Sequence, residues 1–320
     1  MAVAQRPAYE EKPAGRQARE PLWRRRELHL IIGVIVAALT VAFAAVRATN
    51  GARAVLDDRL LHAGAGVNAG FVDVESEQLA VVRSISFTPG VATDLAAKDG
   101  PALNNLVAPL QANSTVPMVD MVVPDGRVLL AVRSKGAPLP VRTRAGLNAL
   151  SYAFKHSHGA RGGRLSEIVV FHRGGATLVT ISPVMSGRKP VGAVLAMTPV
   201  ANILGRLSQE TWANITVYDA TGAPLATTGD FVPKPLPEAA ARALIEGAAV
   251  ETRYVYGNER EKVGRLIVDH TANAVLGVSL PDNSDSVGRA VGIYSLIGLI
   301  CTVVILATFW ARIQNAQRLE

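Results

Sequence analysis

Two long apolar runs frame the chain. One covers residues 28–46 and the other covers 291–311, and each holds about 20 residues with almost no polar side chain. An α-helix rises about 1.5 Å per residue, so a helix of this length crosses the ~30 Å hydrocarbon core of a bilayer. The pattern therefore predicts two transmembrane helices with a polar insert of about 240 residues between them.

The positive charge before the first apolar run predicts how that helix is oriented in the membrane. Arginine and lysine are frequent in residues 1–27, and Arg24, Arg25 and Arg26 almost abut the run. Positive charge collects on the cytoplasmic side of membrane helices, so we expect both termini in the cytoplasm and residues 47–290 outside it. A cleaved signal peptide is the alternative. The run is longer than the roughly 7–15 apolar residues of such peptides, which favours an uncleaved anchor.

The insert shows the same order of elements twice. After a helical stretch at 47–111, a strand pair around Asp125-Gly126 is followed by a helix and three more strands. The order begins again about 95 residues later, with a strand pair around Gly222. Asp-Gly between β-branched runs is a strong hairpin signal. The repeat predicts an α+β fold: two tandem modules, each a five-stranded antiparallel sheet with helices, on a long N-terminal helix between two transmembrane helices.

The predicted segments are two tails, two membrane spans, a helical stalk and two modules. The first tail is rich in Pro, Ala, Arg and Glu without periodicity, a composition typical of disorder. In chain order the bounds are 1–27 (basic cytoplasmic tail), 28–46 (first span), 47–111 (stalk), 112–205 (membrane-distal module), 206–288 (membrane-proximal module), 291–311 (second span) and 312–320 (short cytoplasmic tail).

Charge, cysteine content and motifs exclude several classes of function. The net charge is +7, and much of the positive charge precedes the first span, where it fits membrane orientation rather than nucleic-acid binding. Cys301, the only cysteine, lies in the second apolar run, which excludes a disulfide within one chain. The sequence contains no P-loop, dinucleotide fingerprint, zinc-protease or serine-hydrolase motif. We therefore predict no enzyme, no cofactor, no metal site and no nucleic-acid partner.

Three motifs carry a family resemblance. They are Asp125-Gly126 in the first hairpin, Ser-Pro-Val at 182–184 followed by Gly187 and by Val-Gly-Ala-Val-Leu at 191–195, and Val-Tyr-Asp-Ala-Thr-Gly at 217–222. In this order, and between two membrane spans, they make the chain resemble the double Cache (tandem PAS-like) extracytoplasmic sensor domains of bacterial receptors. The resemblance covers roughly residues 50–288 and implies an inner-membrane location.

The resemblance also implies a ligand. Members of this family usually bind a small molecule in the module farther from the membrane. The polar candidates in that module are Arg144, Tyr152, Arg142, His172, Asp120, Arg133 and Glu167. Arg144 has the paired donors that clamp a carboxylate, and Tyr152 offers an aromatic wall with a hydroxyl. For each of them a solvated surface position is the alternative. Amino-acid-binding members carry an Arg-x-Trp-Tyr run, which residues 142–152 lack.

The leading hypothesis is a membrane-anchored sensor that passes a conformational signal through its transmembrane helices. We expect a homodimer and a separate cytoplasmic or membrane signalling partner. A non-sensing accessory subunit of a membrane complex with the same fold is the alternative. Family members usually continue into an output domain, whereas this sequence ends nine residues after position 311. Loss of the output domain, action through a partner or a longer parent protein would each explain that end.

Overall fold

The chain forms two compact units. The computed structural model describes residues 22–134, 151–157, 163–171, 175–229, 233–269 and 271–317. One unit runs from Ala52 to Asn283 and contains two β-sheets. The other combines the residues up to Gly51 with those from Ser284 onward.

Helices begin and end the described chain. The helices are α1 (Leu22–Phe87), α2 (Val91–Ala97), α3 (Gly100–Ala112), α4 (Val200–Thr211), α5 (Glu238–Ile245) and α6 (Ser284–Gln317). Residues 151–155, at the start of the next described stretch, are helical as well. Within the described residues, α1 and α6 are long and apolar enough to cross a membrane. They contain the two apolar runs that the sequence analysis identified.

The stalk part of α1 is continuous although it contains several glycines. A side chain at Gly70 would collide with Leu207 of α4, and one at Gly66 would reach Thr211, 3.8 Å away. Gly70 therefore lets α4 pack closely against α1, and that contact outweighs the weak helix propensity of glycine, whereas the distance at Gly66 is an ordinary van der Waals contact. The helix ends at Phe87, just before Pro89 and a glycine with positive φ.

The ten strands form two sheets of the same topology. The first sheet contains β1 (Met118–Val122), β2 (Val128–Arg133), β3 (Leu165–Phe171), β4 (Gly175–Ser186) and β5 (Lys189–Pro199). The second contains β6 (Asn214–Tyr218), β7 (Pro224–Thr227), β8 (Glu251–Tyr256), β9 (Glu259–Val268) and β10 (Thr271–Pro281). The strand orders are β2-β1-β5-β4-β3 and β7-β6-β10-β9-β8, and all pairs are antiparallel. The predicted α+β fold with two repeated modules is confirmed.

Each sheet has one face against the stalk. The C-terminal part of α1 packs with α2 and α3 on the first sheet, and the middle of α1 packs with α4 on the second. The opposite face of each sheet is covered by a shorter helix. Residues of 151–155 pack on the first sheet, and α5 packs on the second. We call these opposite faces the outer faces.

Candidate ligand-binding face

The outer face of the first sheet carries a buried acid. On β1, Met121 packs toward α2 and α3, whereas Met118 and Val122 belong to the cluster under the short helix 151–155. Successive side chains of a strand point to opposite faces of the sheet. Asp120 therefore lies on the outer face, between two apolar neighbours.

An ion pair joins Asp120 to Arg133 on this face. Arg133 stands opposite Met118 in the β1–β2 register. Its Nη2 lies 2.5 Å from Oδ1 of Asp120, and the two side chains are 16% and 9% exposed. Its Nη1 donates to the carbonyls of Val119 and Val132, at 3.2 and 3.0 Å. Its Nε is buried and has no hydrogen-bond partner among the described residues. That N–H is a donor that an acceptor on a bound molecule would satisfy.

The ion pair is a polar centre in an apolar face. Burial raises the pKa of Asp120 above its ordinary value of 3.8, and the hydrogen bond and charge of Arg133 offset only part of that effect. Burial raises the pKa because it removes water from around the charged carboxylate and so disfavours the charged form relative to the neutral acid. Removing one member of such a pair is costly, since the other charge then stays buried without compensation.

Glu167 lies toward the other edge of the same face. It is half-buried, stands opposite Val179 of β4, and has a carboxyl pKa raised above 4.5 by burial. Two strands, β5 and β4, separate β3 from β1. At about 4.8 Å per strand, β3 lies about 14 Å from β1 across the sheet, so Glu167 and Asp120 are at least that far apart. The two acids share a face, but they do not form one cluster.

Tyr152 belongs to the short helix over this face. Ala153 is fully buried against the sheet, and Phe154 packs on the same cluster. Tyr152 itself is 40% exposed and stacks on His156, with ring centroids 4.1 Å apart. Its role in a site stays a prediction. Three further predicted site residues lie outside the described residues: Arg142, Arg144 and His172.

The outer face of the second sheet holds a charged network that the sequence analysis did not identify. Glu261 is 1% exposed and accepts hydrogen bonds from the Tyr218 hydroxyl at 2.8 Å and from Arg253 Nε at 2.7 Å. Arg253 also donates to the Tyr218 hydroxyl at 2.8 Å. It reaches the carbonyls of Lys234 and Pro235 at 2.8 and 3.1 Å. The network therefore joins β6, β8 and β9 to the segment before α5.

The network fills the second outer face with the protein's own side chains. Burial and the neighbouring Glu261 raise the pKa of the Tyr218 hydroxyl. Burial also raises the pKa of Glu261, although Arg253 opposes the shift. No local signal predicts these roles, because four charged residues in a row at 259–262 are typical of a loop. Within the part of the chain that the structure describes, no cluster of three or more His, Cys, Asp or Glu side chains is arranged to bind a metal ion.

Comparison with known proteins gives structural matches only. No protein-family model matches the chain, and no curated protein matches it in sequence. A domain of a sensory box/GGDEF family protein from Vibrio parahaemolyticus matches with a TM-score of 0.51 at 10% identity, covering 72% of this chain and 99% of that one. The extracellular domain of the histidine kinase vpHK1S-Z8 matches with a TM-score of 0.50 at 11% identity. The match covers 74% of this chain and 97% of that one. A third match is the ligand-binding domain of the Campylobacter jejuni chemoreceptor Tlp3 in complex with L-norvaline. Its TM-score is 0.50 at 10% identity, and the match covers 75% of this chain and 94% of that one.

The chain shares the fold of these sensory and ligand-binding domains. Identities of 10% and 11% show the fold and nothing finer. The family resemblance that the three sequence motifs predicted is thereby confirmed at the level of fold.

Proposed function

We propose that the protein is a membrane-anchored extracytoplasmic sensor whose first module binds a small carboxylate on its outer face. The Asp120–Arg133 pair supports the proposal, because Nε of Arg133 is a buried donor without an acceptor among the described residues. An unsatisfied buried donor costs about 1–3 kcal/mol, which a bound acceptor recovers. Glu167 on the same face and Tyr152 above it are further candidates for polar contacts with the ligand, and the roles of Arg142, Arg144 and His172, which lie outside the described residues, stay predictions.

A buried hydrogen-bond network supports coupling between the first sheet and α1. Gln78 of α1 is fully buried. Its Nε2 donates to the carbonyl of Leu178 at 3.2 Å and to Thr198 Oγ1 at 2.8 Å, and its Oε1 accepts from Thr180 Oγ1 at 2.7 Å. A ligand that displaces β4 or β5 would therefore displace α1. Because α1 is one continuous helix from Leu22 to Phe87, the displacement would reach the first membrane span.

The second sheet is fastened to the same helix. Asn68 Nδ2 donates to the carbonyl of Arg265 at 3.2 Å, and its Oδ1 accepts from the backbone N–H of Ile267 at 3.3 Å. Asp57 Oδ2 lies 3.2 Å from Arg260 Nη2. These contacts support a signal that involves both modules and not the first alone.

We propose an arrangement in the membrane as well. Both termini lie in the cytoplasm, residues 47–290 lie outside it, and two copies form a homodimer in the inner membrane. The basic residues before the first span support the orientation. Ligand binding acts through its different affinity for two conformations of the spans, which a separate signalling partner distinguishes.

Thermal unfolding of the full-length protein in detergent tests the binding proposal. The probes are acetate, lactate, pyruvate, succinate, malate and citrate, each added to saturation. A ligand that binds the folded state raises the unfolding midpoint by mass action. We expect at least one carboxylate to raise the midpoint of the wild-type protein by about 2 °C or more. The same compound should not stabilise Arg133→Gln.

Arg127→Gln is the matched control for this experiment. Arg127 belongs to the same hairpin, but its side chain is 62% exposed and pairs with Asp125. Arg133→Gln alone leaves the Asp120 charge buried without its partner, which destabilises the fold. The double variant Asp120→Asn/Arg133→Gln removes both buried charges together and so separates a loss of binding from a loss of folding. If no carboxylate stabilises the wild type, or if Arg133→Gln responds like the wild type, the binding proposal fails and the accessory-subunit hypothesis is preferred.

A further inference from the structure

A second candidate site lies on the stalk side of the first sheet, away from the outer face. A cleft of about 180 Å³ opens between α1, the start of β1 and α4. Its polar lining residues are Glu77, Gln78, Thr115, Thr198, Asn202 and Arg206. The volume is below the roughly 300 Å³ of the smallest drug-sized pockets, so it suits a smaller molecule.

Opposite charges line the cleft from two different helices. Glu77 projects from α1, and its Oε2 accepts a hydrogen bond from Thr115 Oγ1 at 2.7 Å, which orients the carboxylate. Arg206 projects from α4 and is 45% exposed; its ion-pair neighbour Glu210 is 4.0 Å away, at the limit of such a contact. Among the described residues, Glu77 and Arg206 line the same cleft without forming an ion pair with each other.

The lining also contains a polar group that is already held in place by hydrogen bonds. Gln78 and Thr198 line the cleft, and they are hydrogen-bonded to each other at 2.8 Å. Because Gln78 is also held by Leu178 and Thr180, these groups cannot collapse into the cleft. Valine and isoleucine complete the lining with apolar surface at Val74 and Ile203.

We propose that this cleft binds a small zwitterion with its ammonium group on Glu77 and its carboxylate on Arg206. A guanidinium binds a carboxylate through two parallel N–H donors, and an ammonium group binds a carboxylate through a charge-assisted hydrogen bond. A molecule with both charges satisfies both ends of the cleft, whereas a singly charged molecule leaves one end unpaired. The bound zwitterion bridges α1 to α4, the helix that connects the two sheets.

A series of ω-amino acids tests the proposal on the full-length protein in detergent. Isothermal titration compares glycine, β-alanine, 4-aminobutyrate, 5-aminovalerate and 6-aminohexanoate. We expect one chain length to bind best, because the distance between the two charges is set by two packed helices. The singly charged analogues of the best ligand, such as butylamine and butyrate for 4-aminobutyrate, should bind at least about tenfold more weakly. Each of them lacks one charge-assisted contact.

Substitutions assign the binding to the cleft. Glu77→Gln and Arg206→Gln should each weaken the best zwitterion about tenfold or more. The charge-exchanged double variant Glu77→Arg/Arg206→Glu should recover part of the loss, because the ligand can bind in reverse. Arg242→Gln is the control, since this exposed side chain on α5 does not line the cleft, and it should leave the affinity unchanged.

Two results would overturn the proposal. One is the absence of tighter binding by any zwitterion than by its singly charged analogues. The other is retained affinity in both Glu77→Gln and Arg206→Gln. Arg133→Gln separates this site from the proposed carboxylate site on the outer face: it should abolish the carboxylate response and leave zwitterion binding intact.

Discussion

The charged network on the second sheet depends on one glycine. A side chain at Gly277 of β10 would collide with Glu261 Oε1, and its Cβ would lie 2.9 Å from the Tyr218 ring. Glycine normally weakens a strand interior, because it has no side chain to pack. Here the absence of a side chain leaves the space that the Glu261 and Tyr218 side chains occupy. The glycine and the buried acid are therefore one structural feature.

Gly277→Ala should destabilise the protein by about 2 kcal/mol, the usual range for overpacking a filled core. The unfolding midpoint should fall by about 6 °C in a domain of this size. The matched control is Gly205→Ala in α4, where a Cβ would meet nothing within 4 Å. It should be neutral or slightly stabilising, because alanine favours helices over glycine. Equal midpoints for the two variants would contradict the account of Gly277.

Glu261 should give stability a measurable pH dependence. Its pKa is raised in the folded protein, so the folded state holds its proton at a pH where the unfolded state has lost it. The contribution of Glu261 to the free energy of unfolding is then largest below pH 4.5 and falls as pH rises through its folded-state pKa. Glu261→Gln, which stays neutral, should show a smaller fall in midpoint across that interval.

The control for this titration is Glu238→Gln. Glu238 is 55% exposed and pairs with Arg242 on the surface of α5. Surface pairs contribute little to stability, so this variant should keep the wild-type pH profile. A profile in Glu261→Gln that matches the wild type would show that Glu261 does not titrate within the interval.

At the scale of elements, α1 and α6 pack through small residues. A side chain at Gly288 would collide with Thr49, and a Cβ at Gly292 would lie 3.6 Å from Cβ of Ala45. Two glycines four residues apart allow close approach of two membrane helices. The sequence shows small residues on α6, but it does not identify the helix that they contact. Gly298 contacts nothing within 4 Å at its Cβ position.

Ala45→Cys/Gly292→Cys should form an intramolecular disulfide when Cys301 is replaced by serine. The Cβ separation lies inside the roughly 3.5–4.5 Å that disulfides require. Mild oxidation in membranes followed by maleimide labelling and mass spectrometry counts the remaining thiols. Gly33→Cys/Gly298→Cys is the control, because a Cβ at either position has no neighbour within 4 Å. Full labelling of the Ala45/Gly292 pair after oxidation would refute this helix packing.

At the scale of the whole molecule, two modules share a topology but differ in their outer faces. The first presents Arg133 with a free buried donor among the described residues. In the second, Arg253 is held by Glu261, Tyr218 and two carbonyls. This difference between the two copies is why the proposed ligand site lies on the first module.

The proposed orientation predicts labelling from one side of the membrane. In a Cys301→Ser background, a cysteine at Asp125, whose side chain is 50% exposed, should react with a membrane-impermeant maleimide in intact cells. A cysteine at Ala4 should react only after the membrane is permeabilised. The opposite pattern, or equal labelling of both positions, would reject two cytoplasmic termini.

Much of the fold was determined by local sequence patterns. Apolar runs predicted two helices that can span a membrane, and alternating strands around Asp125-Gly126 and Gly222 predicted two hairpins in a repeated module. These elements depend on backbone geometry and on burial of one face, which period and turn residues record directly. The repeat predicted two tandem modules of the same topology, which the structure confirms. Asp120, Arg133 and Glu167 lie on one face, as strand alternation allows.

Only the tertiary structure decided which polar groups are buried together. Glu261 meets Tyr218 across 43 positions of sequence, and Gln78 meets Thr180 across 102. A charged run such as 259–262 has the composition of a loop, and its burial depends on partners that other strands supply. The two sides of the Glu77–Arg206 cleft likewise come from separate helices. Local pattern carries no information on such pairs, because desolvation of a polar group becomes tolerable only when folding brings its partner to it.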